Sequence, residues 1–153
     1  MKKIALIGTL VVGFVAILSV VAAMNFGEKS NIYVSGEVVI PESFSDKINS
    51  NISTLFVVVY DEESPMPMPY GAMKLRLDQA PEAGGSLPFF VTKERLMVMR
   101  ENQPPPYKLR VKARLDLDGN AGRDQPGDLT GEASGVALGT QDITITIDKY
   151  IEN

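Results

Sequence analysis

A chain of 153 residues with 44% hydrophobic and 22% charged side chains has the composition of one ordinary folded domain, not of a disordered tail. It contains no cysteine and no histidine, which excludes disulfides, thiolate and imidazole metal sites, thiol nucleophiles, Ser-His-Asp chemistry and covalent c-type haem attachment. The formal charge is −4, and without Lys2 and Lys3 the remaining 13 basic residues face 19 acidic ones, a balance of −6 that argues against nucleic acid as a partner.

Lys2 and Lys3 precede residues 4–24, a run of 21 residues without a charge, and the polar stretch Gly27-Glu28-Lys29-Ser30-Asn31 follows. At 1.5 Å per residue a helix there spans about 31 Å, enough for a bilayer core. The lysines place the N-terminus in the cytoplasm and the rest outside, which in a bacterium is the periplasm. Val21-Ala22-Ala23 offers small residues for signal-peptide cleavage, but the apolar run exceeds the roughly 7–15 residues of a signal-peptide core. The expected organisation is an uncleaved single-pass anchor of the inner membrane over residues 1–26, a linker over 27–31 and a periplasmic domain over 32–153.

Beyond the linker the pattern changes to strands and turns. Ile32-Tyr33-Val34-Ser35-Gly36-Glu37-Val38-Val39-Ile40 alternates as a first strand, closed by Pro41, which has no N–H for a ladder. Residues 41–53 are polar and predict a loop or a short helical turn. Residues 54–60, TLFVVVY, form a β-branched and aromatic run suited to a central strand covered on both faces. Pro65, Pro67 and Pro69 alternate and predict an extended surface loop over residues 61–71. Residues 72–79 alternate again, with Met73, Leu75 and Leu77 inward and Lys74, Arg76 and Asp78 outward. Gly84-Gly85 marks a turn, and Pro88 marks the start of the next strand, residues 87–93, or a sheet edge. Leu96, Met97, Val98 and Met99 follow before Pro104-Pro105-Pro106 breaks the chain.

In the last third, Leu109, Val111, Ala113, Leu115 and Leu117 share one face, while Lys108, Arg110, Lys112, Arg114 and Asp116 share the other. Ile143, Ile145 and Ile147 repeat the apolar beat near the C-terminus. A Gly-, Asp- and Pro-rich loop and a short intervening strand join these two strands, and the basic face reads as solvated. About seven strands and no long amphipathic helix after residue 30 predict an all-β fold. The expected architecture is an Ig-like antiparallel β-sandwich preceded by one transmembrane helix.

Three clusters raise the question of chemistry. Asp116, Asp118, Asn120, Asp124 and Asp128 put oxygen ligands at short spacing, as calcium loops do, but lack the pattern ending in a bidentate glutamate, and Asp, Gly and Asn are also what a tight turn requires. Met66, Met68, Met97 and Met99 offer thioether sulfur to Cu(I), although without cysteine or histidine such residues read as packing. Glu62 and Glu63 are sequence neighbours and do not face one another across a cleft. No phosphate loop or nucleophile motif is present, so neither an enzyme nor a cofactor is expected.

Val34-Ser35-Gly36-Glu37-Val38, Leu96-Met97-Val98-Met99, Ala113-Arg114-Leu115, Gly119-Asn120-Ala121, the stretch Gln125-Pro126-Gly127-Asp128-Leu129-Thr130-Gly131-Glu132, Gly139 and Ile145-Thr146-Ile147-Asp148 run in a recognisable order. Together they resemble the C-terminal periplasmic Ig-like domain of the cytochrome c biogenesis factor CycH, or CcmI, over residues 31–150. The family's further transmembrane segment and tetratricopeptide region, associated with binding the apocytochrome tail, have no counterpart in these 153 residues. The resemblance implies a membrane-anchored periplasmic protein-binding module that assists assembly or stability of c-type cytochromes. The alternative is a permanent accessory subunit that clamps a membrane respiratory or photosynthetic complex from the periplasmic side. The expected partner is accordingly a c-type cytochrome, its assembly machinery or a membrane electron-transfer complex. The expected contact surface combines Pro65, Pro67 and Pro69, rigid and apolar, with Lys108, Arg110, Lys112 and Arg114.

Overall fold

Alternation, β-branched residues and turn-forming glycines and prolines leave a chain of strands. The computed structural model describes residues 31–66 and 68–152. The expected membrane anchor, most of the linker and Pro67 lie outside the described residues. Among the described residues no helix is long and apolar enough to cross a membrane, and helical structure amounts to one 3₁₀ turn at Glu42–Phe44.

The described strands are β1 (Ile32–Val39), β2 (Thr54–Asp61), β3 (Pro69–Arg76), β4 (Ser86–Thr92), β5 (Met97–Val98), β6 (Lys108–Asp116), β7 (Leu129–Ala137), β8 (Thr140–Thr146) and β9 (Lys149–Tyr150). They form two sheets, one ordered β4-β1-β8 and the other β5-β3-β2-β6-β7-β9. The fold is an all-β sandwich. Val34, Val38, Phe89, Val91 and Ile145 from the smaller sheet meet Leu55, Val57, Val59, Met73, Leu109, Val111, Ala113, Leu115 and Leu129 from the larger one in a single buried cluster. Each larger side chain there contributes about 1.5–3 kcal/mol by leaving water. Tyr33 and Tyr70 close one part of this core, and burial together with the Tyr33 hydrogen bond pushes the Tyr70 phenol up to about 12.

β2 holds the central place expected of it, paired on both sides, with β3 and with β6. β4 is an edge strand, which accommodates Pro88 opposite Glu37. Four expectations are corrected. Nine strands are described where about seven were expected, because Met97–Val98 and Lys149–Tyr150 form two-residue strands. Residues 69–71 belong to β3 instead of the proline loop, since Tyr60 and Val59 supply ladder partners for Pro69 and Gly71. The intervening strand of the last third, β7, is nine residues long.

The fourth correction is to the wholly antiparallel sandwich that was expected. The strands that open and close the last third do not share a sheet: β6 pairs with β2 and β7, whereas β8 pairs with β1. That β1–β8 pair is parallel, unlike every other described pair. The turn before β8 explains it. Gly139, with φ at 88°, donates its N–H to Tyr33 O at 2.7 Å, so β8 begins beside the start of β1 and must run the same way.

Past the end of β8 the chain changes sheets in one step. Ile147 N–H donates to Val39 O in the smaller sheet at 2.9 Å, and Asp148 N–H donates to Thr130 O in the larger one at 3.0 Å. Gly131 makes this crossing possible, because a Cβ there would overlap the Thr146 carbonyl.

Candidate functional site

Since Leu55, Val57 and Val59 point into the core, the alternate residues of β2 point outward, and the ladder fixes their neighbours. Phe56 lies opposite Lys74 and Arg114, Val58 opposite Ala72 and Lys112, and Tyr60 opposite Pro69 and Arg110. The outer face of the larger sheet is therefore a strip of apolar side chains along β2 and β3, bordered by cations on β6. A groove of about 460 Å³ lies over it. Val58, Tyr60, Pro69 and Ala72 form its floor beside Phe56, which is itself buried under Arg114 and Lys74; Met99 stands at one side, and residues 121–124 of the β6–β7 loop form the opposite wall.

Arg114 holds that wall in place. Its side chain is 5% exposed, so the expectation of a uniformly solvated basic face is wrong at this position. The guanidinium donates to Asn120 O and Gly122 O, each at 2.8 Å, and lies over the Phe56 ring with its central carbon 4.8 Å from the centroid. Its Nε is 3.1 Å from Asp116 Oδ2 and 3.8 Å from Asp128 Oδ2, and Nη1 is 3.5 Å from Asp124 Oδ1. The Nε contacts are electrostatic rather than aligned hydrogen bonds, because Arg114 Nε and Asp116 Oδ2 both remain without a hydrogen-bond partner. The two buried aspartates order the loop ends: Asp116 Oδ1 accepts from Gly119 N–H at 2.5 Å and Asp128 Oδ2 from Gln125 N–H at 2.8 Å. Lys112 Nζ reaches Asp124 Oδ2 at 2.5 Å from inside the groove.

The carboxyls respond to these surroundings differently. Burial pushes Asp116 above its ordinary value, aided by the charge of Asp128 and opposed by the Gly119 N–H and Arg114. Burial acts upward on Asp124 too, but the Lys112 hydrogen bond and charge, together with Arg114, outweigh it and hold the group below its ordinary value. Asp118 is lowered chiefly by hydrogen bonds from Asn120. A guanidinium thus stands among Asp116, Asp124 and Asp128, where a loop-bound calcium ion would need to be. Among the described residues no group of three or more acidic side chains is arranged to hold a metal.

Pro69, Lys112 and Arg114, all singled out from sequence, line the groove. Arg110 adjoins it, stacked 4.1 Å from the Tyr60 centroid and paired with Glu132 at 3.2 Å. Lys108 is exposed opposite Ala137, away from the groove lining, and Pro65 is exposed in the β2–β3 loop. The lining residues that sequence reasoning gave no contact role are Phe56, Val58, Tyr60, Ala72, Ala121, Gly122 and Arg123, and Met99 was weighed only as a thioether ligand. Splitting the 54–60 run by its period of two would have found the first three.

Methionine placement also departs from expectation. Met66, Met68, Met97 and Met99 are exposed, from 46% for Met99 to 71% for Met97, and do not pack in the core. Met97 lies opposite Ala72, Met99 N–H donates to Tyr70 O, and Arg100 Nη2 donates to Met68 O, so three of the four gather at the β3 edge beside the groove. On the smaller sheet a shallower hollow of about 260 Å³ is lined by Ser35, Gly36, Glu37, Pro88, Phe90, Asp142 and Ile143. Comparison of the chain with protein-family models, curated proteins and solved structures finds no match.

Proposed function

We propose that this chain is a non-enzymatic protein-binding module whose contact face is the outer surface of the six-stranded sheet. The observation that carries it is the groove: an apolar floor on rigid strands, a wall fixed by Arg114, and exposed methionines continuing the apolar surface to the sheet edge. Unfilled apolar surface on a preformed scaffold is what a docking site requires, and methionine adapts its shape to what it meets. The fold belongs to the Ig-like class in this reading. The order β3-β2-β6-β7 corresponds to C′-C-F-G and β4-β1 to E-B of that sandwich, while β8 takes the place beside β1 that an N-terminal strand would occupy.

The process follows from the resemblance to the CycH periplasmic domain: assembly or stability of c-type cytochromes, from a single-pass anchor in the bacterial inner membrane with the β-domain periplasmic. A permanent accessory subunit of an electron-transfer complex is the second reading, supported by the same preformed contact face. Mild-detergent purification of the full chain separates them. Stoichiometric recovery with a large complex supports the subunit, and substoichiometric capture with incomplete haem attachment in the deletion strain supports the assembly factor. Ala72→Gln, which places a polar side chain on the groove floor, is expected to abolish recovery in either case. Undiminished recovery would overturn the contact-face assignment.

A further inference from the structure

The groove lining carries Lys112, Arg114 and Arg123 against the single acid Asp124, within a chain whose formal charge is −4. Two of those cations are already committed, Arg114 to Asp116, Asp124 and Asp128, and Lys112 to Asp124. Arg123 differs. It is exposed on the groove wall, and among the described residues its guanidinium makes no hydrogen bond or ion pair. The site therefore joins an apolar floor to one uncommitted cation held above it. The apolar surface also outruns the groove, because Met97 is 71% and Met68 50% exposed beside it. A small molecule filling about 460 Å³ would leave both in water, whereas a chain lying across the sheet covers them and reaches the wall.

Resting on the contact-face reading, we propose that the groove's occupant is an extended acidic-apolar peptide segment of a protein partner, its apolar side chains on Val58, Tyr60 and Met99 and its carboxylate paired with Arg123. Arg123 selects for the sign of charge, and the floor supplies the affinity. An exposed pair of this kind discriminates modestly, so the preference for an acidic over a basic peptide is about five- to tenfold.

The test uses the full chain reconstituted in phosphatidylcholine nanodiscs, which occupy the apolar segment, with three probes: a labelled peptide alternating leucine with glutamate, the same peptide with lysine in place of glutamate, and phosphatidylglycerol vesicles. Wild type is expected to bind the glutamate peptide five- to tenfold more tightly than the lysine peptide. Arg123→Glu, at an exposed position, is expected to keep the wild-type melting temperature and to reverse that order. Equal binding of the two peptides would overturn the acidic assignment while leaving the contact face intact. Binding of neither peptide overturns the proposal, and vesicle binding without peptide binding does so in favour of a membrane surface. Undiminished binding of the glutamate peptide by Ala72→Gln overturns it at the groove itself.

Discussion

Replacing Arg114 by methionine tests whether the β6–β7 loop is held by one buried cation. Methionine keeps an unbranched stem over Phe56 but removes the charge from beside Asp116 and Asp128, whose side chains are each 1% exposed. Lys112 cannot take over, because its ammonium is engaged by Asp124. The hydrogen bonds to Asn120 O and Gly122 O disappear as well. Breaking a buried ion pair by removing one partner costs about 3–5 kcal/mol, since the remaining charge stays desolvated. Against a total of about 5–15 kcal/mol for a domain, the variant should fold but marginally. With a urea slope of about 1–3 kcal/mol per molar, the midpoint should fall by roughly 2 M, read by far-ultraviolet circular dichroism. The triple variant Arg114→Met, Asp116→Asn, Asp128→Asn removes the stranded charges and should recover more than half of the loss. A single-variant loss under about 1 kcal/mol, or no recovery in the triple variant, would refute the account of a charge-locked loop.

Asp124→Asn should cost about 1 kcal/mol at neutral pH, since the Lys112 and Asp124 side chains are 16% and 28% exposed. The folded state holds Asp124 below its ordinary value, so its contribution is complete above pH about 4 and is lost as pH falls through the lowered value. Stability curves of wild type and variant should therefore converge in acid, and a gap that widens there would reverse the assignment. Gly131→Ala forces a Cβ into the Thr146 carbonyl and should lose about 2–3 kcal/mol. Gly122→Ala, where a Cβ meets nothing within 4 Å, should stay within about 0.5 kcal/mol in the same denaturation assay.

The inward faces were legible in the sequence because period-2 alternation reports which side of a strand meets the core: Leu109, Val111, Ala113 and Leu115 all do. Arg114 was correctly placed on the opposite face, but its burial left no compositional mark, because much of what covers it is loop backbone, the carbonyls of Asn120 and Gly122. The groove floor was hidden for another reason. A run such as 54–60 is apolar at every position, so its two faces look alike until the partners of Val58 are known to be Ala72 and Lys112, one too small to cover it and the other reaching away to Asp124. The parallel β1–β8 pair joins Val34–Val39 to Thr140–Thr146 and opens with the hydrogen bond from Gly139 to Tyr33, contacts between distant positions that no local pattern encodes. Met97 is exposed on β5, a two-residue edge strand that pairs only through Met97 and Val98, while Met66 and Met68 lie in the β2–β3 loop and Met99 follows β5.

The place of β8 beside β1 bears on how the molecule comes into being. β1 is the first strand to be made, and one of its two neighbours, β8, starts only at Thr140. During synthesis the smaller sheet must therefore wait with an open edge until nearly the whole domain has been delivered. Such non-local closure slows folding and leaves a template for wrong pairing in the interval. The larger sheet carries no such delay across its central β3-β2 hairpin, so the groove-bearing half can assemble while its counterpart is still incomplete. A chain halted between β7 and β8 would hold β3, β2, β6 and β7 of the larger sheet while β8 of the smaller sheet and β9 of the larger were still missing.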